Sequence, residues 1–132
     1  MTQSFVAGAD VERRPLDWGL AGWLCQPALT GSAQLAIVEA TFLPGKGHAF
    51  HKHPQQEEVI YVLDGVIEQW VGMQKRVLEA GDSAFIPADT AHASFCVGDE
   101  TARILAIFGP SVGEGSTTVE VAHEAPWNTL RP

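Results

Sequence analysis

The alternation of short apolar runs with turn residues limits the fold of this chain more than any other feature. Apolar segments end at Pro44-Gly45, Asp64-Gly65, Ala80-Gly81 and Gly109-Pro110, and none of these segments has a convincing helical period. Glycine and proline at such positions mark turns, and aspartate followed by glycine is a strong hairpin signal. We therefore predict about eight or nine short strands, a pattern typical of an all-β sandwich or barrel.

The clearest strand covers residues 33–43, where apolar residues alternate along one face and Pro44-Gly45 ends the run. A strand that carries histidines follows it. Further strands are predicted over residues 58–63, 66–71, 75–78, 83–86, 92–97 and 102–108. The lengths of these strands and the turn residues between them are typical of a β-barrel or a β-sandwich.

The segments on either side of this barrel core, which covers about residues 33–110, are less regular. In the N-terminal arm, residues 1–32, a strand is predicted over residues 16–25. In the C-terminal tail, residues 111–132, alternation over residues 117–123 predicts an edge strand. Because exposed strand edges pair readily with other chains, this edge strand is expected to serve as an arm toward a neighbouring subunit.

Length and charge exclude several classes of protein. The 132 residues correspond to a single domain, residues 1–132. The net charge of −8 argues against nucleic acid or an anionic membrane surface as a partner, because both require a basic surface. The sequence contains neither a membrane-spanning run nor a signal peptide, and Cys25 and Cys96 are expected to be free thiols. We therefore expect a cytoplasmic protein.

Three histidines and two glutamates lie in close succession after the first clear strand. His51 and His53 are two residues apart, so both imidazoles point to one face of a strand. Pro54 has no N–H to donate and interrupts the strand, which allows the chain to turn and to place Glu57 or Glu58 on the next strand. Two imidazoles and a carboxylate that converge in this way are plausible ligands of a divalent metal.

The spacing of these residues resembles the paired motifs of the cupin superfamily, over roughly residues 33–110. The first motif contains Gly45, His51, His53, Glu58 and Gly65, and the second contains Gly81, Pro87 and His92. The resemblance implies a single double-stranded β-helix, or jelly-roll barrel, that binds one metal ion. Carried over by position, the ligands are His51, His53, Glu58 and His92. The family glutamate is followed by six residues and a glycine, which selects Glu58 over Glu57.

The second motif departs from the family pattern at two positions. Asp89 stands where the family has a glycine, in a turn that also accepts aspartate, and Cys96 stands where the family has an asparagine. If the strand is regular, Ser94 and Cys96 face the barrel interior together with His92. The Cys96 thiol would then contact the metal ligands or the substrate, or else fill space as a small buried hydrophobic group.

Two further polar residues lie near the predicted site. Gln69 would contact a bound substrate if its face of the strand over residues 66–71 is turned inward, which the sequence leaves open. His48 lies three residues before His51, so a regular strand directs its side chain the other way, toward the rim or the surface.

Two classes of function suit such a site. The first is a metal-dependent enzyme that acts on a small polar organic substrate. Within it, dioxygenase-type oxidation is favoured over isomerase or lyase chemistry on a sugar or carboxylic acid, in which Glu58 or Glu57 would shuttle a proton. The second is a module that binds or senses a small ligand without turnover. The donor set suits Fe, Mn, Ni, Cu or Zn, and the resemblance also implies a homodimer.

Overall fold

The protein consists mainly of β-strands, as seen in a computed structural model that describes residues 2–111 and 118–131. The strands are β1 (Arg13–Leu16), β2 (Gly19–Cys25), β3 (Ala36–Phe42), β4 (Gly47–Lys52), β5 (Glu57–Asp64), β6 (Val66–Val71), β7 (Gln74–Glu79), β8 (Ser83–Ile86), β9 (His92–Cys96), β10 (Ala102–Gly109) and β11 (Val119–Glu120). The helices are α1 (Pro27–Thr30) and α2 (Trp127–Leu130), and Gly8–Asp10 forms a 3-10 turn.

The strands form two antiparallel sheets. The six-stranded sheet has the order β1-β2-β3-β10-β5-β8, and the five-stranded sheet has the order β11-β4-β9-β6-β7. Strands that are consecutive in the chain often lie in different sheets, so the chain passes repeatedly from one sheet to the other. This arrangement confirms the predicted all-β fold and its jelly-roll barrel.

The main apolar core lies between the two sheets and is built from alternate residues of their strands. In β3, β5 and β10, every second residue turns inward, as expected for strands with one face against a core. From the five-stranded sheet, Ile67 of β6 and Cys96 of β9 are fully buried in the same cluster. The buried members are Ala40, Phe42, Ile60, Val62, Ile67, Ile86, Cys96, Ala102, Ile104 and Ala106.

The six-stranded sheet begins earlier in the chain than the predicted barrel core. β1 and β2 form a hairpin in which Leu16 pairs with Gly19, and β2 then pairs along β3. Both strands lie in the segment that the sequence suggested was an arm. Gly19 cannot carry a side chain, because an added Cβ would lie 1.7 Å from the Thr41 carbonyl oxygen. The N-terminal residues therefore form one wall of the barrel.

The C-terminal residues cover the outer face of the five-stranded sheet. β11 pairs with β4 of the same chain, with Glu120 opposite His51. The tail thus contains the predicted edge strand, but the strand docks within its own chain, which corrects the expectation of an arm toward a neighbouring subunit. Residues 112–117 of the tail lie outside the described residues. A second apolar cluster forms under Trp127 and Leu130; its buried members are Phe50, Trp70, Ala91, Ala93 and Val121.

Within residues 2–111 and 118–131, the helices are too short and too polar to cross a membrane. Cys25 and Cys96 are free thiols, as predicted from the sequence.

Candidate metal centre

Three histidines meet inside the barrel at one end of β4 and β9. His51 of β4 lies directly opposite His92 of β9, and His53 follows the last residue of β4. Their ring centroids are 4.2 Å apart for His51 and His92, 5.1 Å for His51 and His53, and 5.2 Å for His53 and His92. One ring nitrogen of each histidine lies within 4.8 Å of the others, and all three residues are buried. This group could hold a metal ion.

Glu58 reaches the histidines from the opposite sheet. It lies on β5, and its Oε1 is 2.9 Å from His92 Nε2 and 3.3 Å from His53 Nε2. The turn at Pro54 makes this approach possible. The turn is closed by a hydrogen bond from the Gln56 N–H to the His53 carbonyl oxygen, at 3.3 Å. The structure therefore brings together the four residues that the motif spacing suggested as ligands.

Backbone carbonyls orient two of the imidazoles. His51 Nδ1 lies 2.7 Å from the Ala49 carbonyl oxygen, and His92 Nδ1 lies 2.9 Å from the Thr90 carbonyl oxygen. Because a carbonyl oxygen only accepts hydrogen bonds, both Nδ1 atoms must carry the proton and donate. When such an imidazole is neutral, its Nε2 lone pair is left available, as metal-ligating histidines require.

The centre contains buried polar atoms, and the acceptors among them suit a cation. Among the described residues, His53 Nδ1 and Nε2, His92 Nε2 and Glu58 Oε1 are buried without a well-directed hydrogen bond. The contacts between Glu58 and the histidines lie within ion-pair distance, but their geometry leaves these atoms unsatisfied. Burying polar atoms in this way is costly unless something compensates them. A divalent metal bound by the carboxylate and by one nitrogen of each imidazole would compensate the acceptors among these atoms, so the residues fit the metal that the fold implies.

The charge states of these groups also favour a cation. Burial lowers the pKa of His51 far below its usual value, and the neighbouring His48 and His92 lower it further, so the ring is neutral. Burial opposes ionisation of Glu58, but contact with His53 and His92 outweighs it and holds the pKa of this carboxyl below its usual value. A neutral imidazole at His51 and an ionised carboxylate at Glu58 are the protonation states in which these groups bind metals.

The turn that holds His53 explains why aspartate replaces a glycine in the second motif. Asp89 has a φ of 61°, in the left-handed region that aspartate adopts more readily than most residues. Its N–H donates to the His53 carbonyl at 3.0 Å, and its carboxylate forms an ion pair with Lys52 at 3.2 Å. The departure from the family pattern is therefore compatible with the site.

His48 lies beside the metal-ligand candidates, which differs from the prediction that it points away. Its ring stacks on that of His51, with centroids 3.6 Å apart and an interplanar angle of 9°. The reason is a β-bulge in β4: His48 pairs with Ser94 and His51 with His92, so three steps on β4 match two on β9. Glu120 of β11 accepts a hydrogen bond from His48 Nε2 at 3.1 Å. Burial lowers the pKa of His48, although Glu120 partly offsets this effect.

The histidine group opens onto a cavity of about 260 Å³ inside the barrel. The polar side chains that line it are the four histidines His48, His51, His53 and His92 together with Gln26, Gln56, Glu58, Ser94 and Ser111. The other lining side chains are apolar, and several are aromatic. Trp18 and Trp23 come from the part of the chain without a motif, and only their density between residues 16 and 25 could have drawn attention to them.

The predicted pocket contacts divide into one that lines the cavity and two that lie behind it. Ser94 lines the cavity. Gln69 faces inward but is covered by Ser94, whose hydroxyl donates to Gln69 Oε1 at 2.5 Å. Cys96 lies in the apolar core, where its thiol donates to the Glu100 carbonyl at 3.1 Å. Glu57 has the opposite parity to Glu58 and is exposed, so it does not reach the cavity.

Comparison with known proteins gives one family match and several similar proteins. A protein-family model described as "Cupin domain" matches residues 38–108. The polyketide synthase CurC from Streptomyces cyaneus is 32% identical over 87 residues, which cover 66% of this chain and 56% of that protein. This chain therefore spans just over half the length of that relative.

Two solved structures are similar over most of their length. An RmlC-like cupin from Shewanella frigidimarina is 25% identical, with a TM-score of 0.72 over 83% of this chain and 92% of the other. KdgF from Halomonas sp. is 21% identical, with a TM-score of 0.73 over 83% of this chain and 96% of the other. At this level of identity, the similarity to KdgF shows a shared fold and nothing more.

Proposed function

The chain belongs to the cupin family, and from this premise we propose that it is a metal-dependent enzyme acting on a small organic molecule. The observation that carries the proposal is the set of buried, unsatisfied acceptor atoms on His53, His92 and Glu58, close to the available Nε2 of His51. We assign these four residues as the ligands of one divalent transition metal. The metal is Fe, Mn, Ni, Cu or Zn, because the donor set suits all of them.

Four protein ligands leave two positions free on a six-coordinate metal. When bound, such a metal supplies Lewis acidity and, if it is redox-active, access to oxygen chemistry. The residues of this chain supply the rest. His51 and His92 are held in one tautomer by backbone carbonyls, Glu58 is ionised, and the surrounding barrel limits the access of water to the site.

Dioxygenase-type oxidation is the reaction class that we favour. In this class both atoms of O2 enter the organic substrate, and the substrate supplies the four electrons. A cavity of about 260 Å³ beside the proposed metal ligands would accommodate a small substrate. The mostly apolar walls suit this chemistry, because they exclude water from reactive species formed during the reaction.

The proposal is tested by elemental analysis of protein purified without added metal, followed by oxygen-uptake measurements with a panel of small organic molecules. About one iron or copper per chain together with O2 consumption supports oxidation. Retained metal together with tight binding of an unchanged ligand would indicate a binding or sensing module instead. Failure to retain any transition metal after addition of the ions in turn would overturn the proposal.

Redox-neutral chemistry on a carbonyl-bearing substrate is the second candidate. The similarity to a protein named as a polyketide synthase favours it. In this case the ionised Glu58, buried beside His92, would accept and return a proton during an isomerase or lyase step. Retention of zinc without oxygen uptake, together with conversion of a carbonyl substrate, would favour this alternative over oxidation.

We also propose that the protein is a cytoplasmic homodimer. Free Cys25 and Cys96 suit a reducing compartment. For the dimer, the outer face of the six-stranded sheet presents exposed apolar side chains, including Tyr61 and Phe85, whereas the C-terminal residues cover the corresponding face of the other sheet. Two copies that pack these exposed faces against each other would bury them.

A further inference from the structure

The walls of the cavity are far more apolar than a site for sugars or small acids requires. Apart from the histidine group, its immediate polar neighbours and Gln26, the cavity is lined by hydrophobic side chains from the N-terminal hairpin, β3, β5 and β10. The larger ones are Trp18, Trp23, Phe42, Ile60, Ile104 and Phe108. A ligand that fills the cavity must therefore place most of its surface against carbon.

The aromatic rings of this wall lie directly beside the imidazoles. Trp18 packs against Phe42 with centroids 4.8 Å apart, and it lies nearly parallel to His48 at 6.1 Å. Phe108 meets His53 edge-on, with centroids 5.0 Å apart. Flat rings at these distances create surfaces against which another ring packs favourably, in stacked or edge-to-face geometry.

The charge of the lining argues against anionic ligands. Among the described residues that line the cavity there is no lysine or arginine, and the acidic side chain in the lining is Glu58. A dicarboxylate or a sugar acid would have only the metal to balance its charges. Hydroxyl groups away from the metal would face carbon, and each one left unpaired would lower the affinity by about tenfold.

The size of the cavity limits the ligand further. Its volume of about 260 Å³ lies below the range of roughly 300–1,000 Å³ that is usual for drug-sized ligands. One substituted ring fits this space.

We propose that the cavity binds an uncharged, ring-bearing organic molecule with its oxygen-bearing edge toward the histidine group and its carbon face against Trp18, Phe42 and Phe108. The proposal rests on the proposed function, because it gives the substrate class of the same site. It differs from the small polar substrate that the sequence suggests, because the walls of the cavity are mainly apolar.

The test compares catechol with oxalate and D-glucuronate as probes, by calorimetric titration of zinc-loaded and of metal-free protein. We expect catechol to bind at least about tenfold more tightly than either anion in the zinc-loaded protein, and to keep this preference in the metal-free protein. Oxalate or D-glucuronate binding as tightly as catechol in both forms would overturn the proposal.

Two variants locate the binding surface. Trp18→Ala is expected to weaken catechol binding by about tenfold while zinc content stays unchanged. Phe108→Leu also removes a ring, but with a smaller loss of side-chain volume than Trp18→Ala. It should weaken catechol binding as well, and it replaces Trp18→Ala in the test if that variant does not fold. Trp70→Phe is the control, because Trp70 packs in the cluster outside the barrel. Unchanged catechol affinity in a folded Trp18→Ala or Phe108→Leu protein would contradict the proposed contacts.

The two proposals fail in distinguishable ways. Failure of the wild-type protein to retain zinc or any of the other candidate metals would overturn the metal site, and the ligand preference would still be measured in the metal-free form. Zinc retention with a preference for the anions would overturn only the substrate class.

Discussion

At the scale of single residues, the metal-ligand candidates are held by the backbone rather than by one another. Carbonyls of Ala49 and Thr90 orient His51 and His92, and the turn around Asp89 holds His53. The site is thus preorganised without the ion, at the cost of buried acceptors that have no donor. Removal of one ligand should therefore affect the metal much more than the fold.

His51→Ala should abolish stoichiometric metal binding and leave the barrel folded. Even loss of a partner that only orients a metal ligand typically lowers affinity by about 10–100-fold, and the loss of a ligand should cost at least as much. The measurement is metal content per chain after dialysis, with circular dichroism to monitor the fold. His123→Ala is the matched control, because the side chain of His123 is largely exposed. Full metal retention in His51→Ala would contradict the ligand assignment.

At the scale of elements, β4 determines which histidines reach the site. Its bulge between His48 and His51 brings both rings to the same side, and Gly47 allows β4 to approach β9 closely. A Cβ on Gly47 would lie 2.1 Å from the Ser94 carbonyl oxygen and 2.6 Å from Phe95 Cα. These are backbone atoms, so the strands themselves would have to move apart.

Gly47→Ala should destabilise the protein by about 1–3 kcal/mol, the usual cost of overpacking a tightly packed position. It should also weaken metal binding, because separating β4 from β9 displaces His51 relative to His92. Urea denaturation and metal titration measure the two effects. Gly8→Ala serves as the control, since a Cβ there meets no atom within 4 Å. Equal stability of the two variants would show that β4 and β9 tolerate the added methyl group.

The C-terminal segment acts as a second element that supports the site from outside. Arg131 donates to Glu68 Oε2 at 2.7 Å and lies 3.8 Å from the centre of the Phe95 ring, while Trp70 Nε1 donates to the same carboxylate at 2.9 Å. Burial raises the pKa of Glu68, but these hydrogen bonds outweigh it and lower the pKa below the usual value.

This shift predicts how stability depends on pH. A carboxyl whose pKa is lower in the folded state stabilises the protein above its unfolded pKa, and this contribution is lost as the pH falls through the folded pKa. The free energy of unfolding of the wild type should therefore exceed that of Glu68→Gln at pH 7. The difference should shrink below about pH 4.5, the ordinary glutamate value. Urea denaturation between pH 3 and pH 7 measures it, and a difference that does not change with pH would contradict the role of this carboxylate.

At the scale of the whole molecule, the two sheets differ in what covers them. The C-terminal residues cover the outer face of the five-stranded sheet over β4, β6 and β9, and the six-stranded sheet leaves Tyr61 and Phe85 exposed by 38% and 54%. The two side chains lie on neighbouring strands, because β5 pairs with β8. A contiguous apolar patch of this kind is unusual on the surface of a monomer.

Phe85→Glu should therefore convert the proposed dimer into a monomer, because the carboxylate would be buried against an apolar face. Light scattering coupled to size-exclusion chromatography measures the mass directly. Val77→Glu is the matched control: Val77 is also an exposed apolar residue, at 60%, but it lies on β7 in the other sheet. A monomeric wild type, or a dimer that persists in Phe85→Glu, would overturn this interface.

The sequence by itself was sufficient for the fold class and for the four residues that converge at the candidate metal centre. Strand alternation and turn signals act over a few residues, and the spacing of His51, His53, Glu58 and His92 belongs to a recognisable motif. Only the tertiary structure decided the direction of His48, because a bulge depends on how two strands pair. It also decided the apolar character of the cavity and the docking of the C-terminal strand on its own chain. These features arise from contacts between segments far apart in sequence, for which local periodicity carries no signal.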